Sequence, residues 1–185
     1  MWLVILIFIF IVLLAFLWNS QDHFRYNTNK GKIISDWVDH LLYTRLAMMA
    51  IFDNNPRLSE FVSRLMKNQT DISRDVGIPK LESLLKTHIQ YAAEYMTNVK
   101  QYGQVDPSVL HNLYNNAQEI GQLLDSTLHT SVYKQHMKHH IDTLIANIQA
   151  YHKSPKPVDQ DIETLDRYIN AGMSMAIEMA KDLSR

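Results

Sequence analysis

The sequence predicts an all-α protein: an N-terminal transmembrane helix followed by a six-helix bundle of three repeated antiparallel helical hairpins. Three observations predict this. The first 18 residues are apolar without interruption, six later segments carry apolar residues at helical spacing between turn-forming clusters, and two polar motifs recur at a common offset of 48 residues.

The apolar run comes first. MWLVILIFIFIVLLAFLW, residues 1–18, makes a helix of about 27 Å, close to the ~30 Å of a bilayer's hydrocarbon core. Trp2 and Trp18 stand at its ends, where amphipathic rings favour the membrane interface. A cleaved signal peptide needs a basic leader and small residues at the cleavage site, whereas the run has no basic leader and closes on Leu17 and Trp18 before Asn19, so the segment reads as a retained anchor in contact with lipid. Residues 19–32 are polar and aperiodic and read as a juxtamembrane linker. Arg25, Lys30 and Lys32 against Asp22 alone place residues 33–185, the bundle domain, on the cytoplasmic side.

Six segments follow, divided at Asp53-Asn54-Asn55-Pro56, Gly77-Ile78-Pro79, Gly103 to Pro107, Asp125 to Thr130 and Ser154-Pro155-Lys156-Pro157. Trp37, Leu41, Thr44, Met48 and Ile51 mark the first stripe, and Leu81, Leu85, His88, Ala92 and Tyr95 the third. The other four have the same character, giving hairpins over about 33–76, 79–125 and 130–183. Pro56, Pro79 and Pro107 suit first helical turns, with Asn55 and Asp106 as N-caps. Short connections make neighbours antiparallel.

Composition narrows function. Lys and Arg number 18 against 19 Asp and Glu, and no basic stripe is interleaved with aromatics, which argues against nucleic acid as a partner. The absence of cysteine removes disulfides, thiolate metal sites and thiol nucleophiles. Serines such as Ser63 and Ser83 have no paired base at recognisable spacing, and there is no Gly-rich phosphate loop, so no enzyme class is indicated.

His40-Leu41 recurs as His88-Ile89, and Asn68-Gln69-Thr70-Asp71-Ile72 as Asn116-Ala117-Gln118-Glu119-Ile120, both shifted by 48. A third, weaker copy has His140-Ile141, 52 residues after His88, with Asn170 as the nearest amide on the following helix. His40, His88 and His140 each lie three or four residues from apolar positions of their stripes, as do Asn68 and Asn116, so these groups face the core. Buried polar groups need partners. The favoured expectation is a core polar network in which Asn68 and Asn116 orient the imidazoles and fix hairpin register, with no cofactor. The alternative is a divalent metal or small ligand held by His40, His88, His140, Asp71 and Glu119, although the Glu-x-x-His pairs of di-iron bundles are missing. In KQHMKHH, His136 and His140 share a helix face and form a weaker chelate candidate, lacking the glutamate of H-E-x-x-H.

At Trp37-Val38-Asp39-His40-Leu41-Leu42-Tyr43-Thr44-Arg45 and at the two N-x-x-[DE]-I motifs, the chain resembles an uncharacterised all-helical bundle family of spore-forming bacteria and some large DNA viruses. Thr87 and His139 stand where that family carries an acid before its second and third histidines. The resemblance implies the bundle and the repeat and no particular activity. The functional expectation is a non-enzymatic, single-pass membrane protein with a structural or protein-interaction role, in a viral or host membrane as a virion membrane or minor structural protein.

Overall fold

The computed structural model describes residues 30–153 and 158–183. All regular structure among them is helical: α1 over residues 30–52, α2 Leu58–Val76, α3 Pro79–Tyr102, α4 Pro107–Thr127, α5 Tyr133–His152 and α6 Val158–Asp182. Six helices pack together, as the apolar stripes require. The expected anchor over residues 1–18 lies outside the described residues, and no described helix is long and apolar enough to cross a membrane. Residues 30–32, read from sequence as linker, already belong to α1.

Local chemistry sets the breaks. Gly77 adopts φ 75°, and its N–H and that of Ile78 bond back to Arg74 O and Ser73 O, both at 3.1 Å, stopping α2 so that Pro79 can begin α3. Gly103, φ 68°, ends α3, and the Asp106 carboxylate accepts from Ser108 N at 2.8 Å to cap α4. Two details differ from the sequence expectation. Pro56 precedes α2, with Asn55 Oδ1 accepting from Arg57 N (2.9 Å) in a turn. Asp125 does not open a loop: α4 continues to Thr127, and the buried Asp125 carboxylate accepts from Tyr133 N (2.8 Å) and Lys134 N (3.4 Å), capping the next helix from outside it.

Successive helices pack side by side from α2 to α6, and α3 also touches α5. α1 closes the arrangement against α6. Leu41 fills the space over Gly172, where a Cβ would stand 2.5 Å from Leu41 Cδ2, and Arg45 reaches Asp161. A similarly close approach joins α4 to α5, where a Cβ on Gly121 would lie 2.6 Å from Lys134 Cα. The odd-numbered helices bury matching positions: Trp37, Leu85 and Met137; Leu41, Ile89 and Ile141; Met48, Met96 and Ile148. Each set is spaced by 48 and then 52 residues. Such side chains stabilise the fold by roughly 1.5–3 kcal/mol each when fully buried.

Candidate functional site

Helical spacing turns one histidine from each of α1, α3 and α5 into the middle of this core. His40, His88 and His140 are each no more than 2% exposed, and their rings converge, with centroids 5.8 Å apart for His40 and His140 and 6.1 Å for His88 and His140. Trp37 meets His40 edge-on at 5.3 Å, and the Tyr168 ring lies 5.3 Å from His140.

Hydrogen bonds give the rings different tautomers. His88 Nδ1 donates to Asn116 Oδ1 at 3.0 Å, while His40 Nδ1 accepts from Gln69 Nε2 at 3.4 Å. His140 Nδ1, Gln69 Oε1, Trp37 Nε1 and the Tyr168 hydroxyl are buried without a hydrogen-bond partner among the described residues. Burial lowers the pKa of His40 to about 3, the neighbouring His88 adding to the effect. Burial likewise lowers His88 to about 4 against the opposing pull of its bond to Asn116. His140 is pushed well below the ordinary imidazole value, by burial first and then by His40, His88 and His139. The trio is therefore neutral at pH 7.

Both asparagines face inward. Asn68 Nδ2 donates to Asp36 O at 2.8 Å and Asn116 Nδ2 to Leu84 O at 3.1 Å, two ties related by the same offset of 48 residues. Asn116 thus serves its histidine directly, whereas Gln69 does so for His40. The third hairpin departs from the pattern: 28 residues separate His88 from Asn116, and 28 beyond His140 stands Tyr168, not an amide. Asn170, the amide sought by sequence, is exposed.

The carboxylates stand elsewhere. Asp71 is bonded to Arg74 at 2.9 Å, with Arg64 at 3.7 Å, and Glu119 is exposed. Among the described residues no group of three or more His, Cys, Asp or Glu is arranged to hold a metal ion. His136 and His140 also part company: His136 lines a surface groove and His140 is in the core.

Two polar clusters were not anticipated. Arg45 spans Asp161 (3.1 and 2.7 Å) and Asn147 Oδ1 (2.9 Å) and lies over the Tyr151 ring, while Asn147 Nδ2 donates to Thr164 Oγ1 at 3.0 Å. This network joins α1, α5 and α6. Between α1 and α2, burial together with the hydrogen bond and charge of Asp75 raises the Asp36 carboxyl to about 7. Asp75 is held below the ordinary carboxylate range, chiefly by Arg74 and also by Lys32. Arg45 lies inside the nine-residue motif quoted above, the one sequence signal for either cluster.

Compared with protein-family models, curated proteins and solved structures, the chain matches none.

Proposed function

We propose that the protein is a membrane-tethered docking module, non-enzymatic, whose outer α1/α6 face receives a basic amphipathic helix from a partner protein. One observation carries this reading: an apolar groove of about 320 Å³ between α1 and α6, lined by Val38, Leu42, Leu165, Ile169 and Met173 among others. Val38, Leu42, Ile162, Ile169 and Ile177 are 39–52% exposed, an apolar surface of the kind that marks interaction sites. Asp159 and Asp166 are exposed, three residues before Ile162 and Ile169, and the one cation lining the groove, Arg45, is already paired with Asp161, so an incoming helix with Lys or Arg beside its apolar stripe is the complementary one.

The apolar run of residues 1–18 supplies the tether, with its cytoplasmic orientation drawn from Arg25, Lys30 and Lys32. Residues 19–29 span at most about 40 Å, keeping the groove near the bilayer. The domain is read as three copies of one hairpin, supported by the paired Asn68 and Asn116 ties and by the burial of matching core positions. The family resemblance extends the role to a structural component of a virion or host membrane.

A photoreactive benzoylphenylalanine at position 42, irradiated in native membranes, tests the docking face. Cross-linked peptides mapping to a basic amphipathic helix of one partner support it. Adducts with lipid alone, with a second copy of the chain, or none at all overturn it.

A second reading puts a small ligand or a divalent metal where the His40, His88 and His140 rings meet in the core; Asp71 and Glu119 stand outside, and the three rings by themselves form no metal-holding group among the described residues. Elemental analysis of untagged protein and of its His88→Gln variant separates the two: stoichiometric metal lost in the variant would favour the metal centre.

A further inference from the structure

We propose that the groove between α5 and α6 binds a phosphate-bearing ligand. This groove, about 610 Å³, is distinct from the apolar one. α5 contributes Gln135, His136 and His139, and α6 contributes Arg167, Asn170 and Ser174, the last three spaced i, i+3, i+7 along one row. Every one of these six side chains can donate a hydrogen bond, and no carboxylate lines the groove. Val132 and Ala171 complete the lining with apolar surface. The volume is in the range of small-molecule pockets.

Carboxylates lie near this groove without entering its lining: Glu178, one turn beyond Ser174, is met by Lys181 at 3.4 Å. Glu163 approaches Arg167 at 3.5 Å, but both side chains are more than half exposed, so the contact is weak and the guanidinium can turn to a ligand. Asp166, beside Arg167, is exposed and outside the lining. Asp142 on α5 is engaged by Tyr114 and Lys138, both at 2.7 Å, and Lys134 and Lys138 line a different groove, between α4 and α5. His140 is turned into the core. A guanidinium fork with amides, a hydroxyl and imidazole N–H groups on two facing helices suits the many acceptor oxygens of a phosphate better than a metal cation, which Arg167 would repel. On α6 the apolar and polar functions sit on different flanks, Ile169 and Met173 on one groove and Asn170 and Ser174 on the other.

The phosphate could belong to a soluble phosphate ester or to a phospholipid headgroup, and one experiment distinguishes them. The full chain, labelled with ¹⁵N-histidine, is placed in phosphatidylcholine nanodiscs and titrated with inorganic phosphate, then compared with nanodiscs containing phosphatidic acid. We expect saturable shifts of His136 and His139 resonances, with apparent affinity at least tenfold weaker in Arg167→Gln and unchanged in Arg57→Gln. Tenfold corresponds to about 1.4 kcal/mol. Saturation by inorganic phosphate assigns the soluble source, and shifts only with phosphatidic acid assign the headgroup. Shifts that do not saturate, that persist in Arg167→Gln, or that are absent with both probes overturn the proposal. Arg167 is largely exposed, so its replacement leaves folding intact.

Discussion

Lowering the pH should unfold this domain steeply, because three imidazoles are sealed in the neutral form. In the unfolded chain a histidine titrates near 6.5, whereas in the fold His40 and His88 titrate near 3 and 4 and His140 well below its ordinary value. A depressed folded pKa means that the unfolded state takes up the proton first. The stabilisation is thus whole above about pH 6.5 and is lost as pH falls from there towards 3–4. Each histidine removes about 1.4 kcal/mol per pH unit over that window, so the trio removes about 4 kcal/mol per unit. By pH 5 the loss is roughly 6 kcal/mol, comparable with the whole stability of many domains, which is about 5–15 kcal/mol. Urea titrations of the full chain in a membrane mimetic, followed by circular dichroism between pH 7 and 5, measure it. Replacing His88 by Gln should cut the slope by about a third, whatever it does to stability at pH 7, since slope counts protons and not contacts. A change of less than about 1 kcal/mol between pH 7 and 5 would refute the reasoning, for the rings would then accept charge without cost.

Three further outcomes follow from the packing and electrostatics. Gly121→Ala should destabilise by about 1–3 kcal/mol, because the new methyl meets α5 backbone at Lys134 and cannot be accommodated by a side-chain rotation; chemical denaturation reads this directly. Asp125→Ala should cost about 1–2 kcal/mol, with Asp125→Asn retaining most of the stability, because an amide oxygen can still accept from Tyr133 N; thermal melts of the two variants compare them. Asp36→Asn should raise the melting temperature more at pH 8 than at pH 5. A folded pKa raised to about 7 means that the wild type loses stability as pH rises through that value, and the amide has no proton to lose.

Helices were legible because their cause is local. Trp37, Leu41, Thr44, Met48 and Ile51 repeat every three or four residues and all prove buried, while Gly77 and Gly103 stand at helix ends with the positive φ that glycine tolerates. The inward direction of His40, His88 and His140 followed from the same periodicity. Their meeting did not, because it depends on which helices become neighbours. Asp71 and Glu119, three residues beyond the buried asparagines, fall far enough around the helix to reach solvent, and Asp71 finds Arg74 there. Tyr168 was missed since a search for a third amide settles on Asn170, although the 28-residue spacing from His88 to Asn116 points to position 168. Asp125 reads as a turn former for the same hydrogen-bonding capacity that lets it cap the following helix. Arg45 and Asp161 are 116 residues apart, and no local pattern announces such a pair.

That last contact has a bearing on biosynthesis. The surface of α1 that accepts Leu41 against Gly172 and Arg45 against Asp161 is finished only when α6 has been made. At about 5–20 residues per second, a ribosome needs on the order of ten seconds to travel from Arg45 to Gly172. Throughout that interval the side of α1 that packs on α6 has no partner, so truncation before α6 exposes Leu41 and leaves Arg45 without Asp161 in place of giving a smaller version of the same protein.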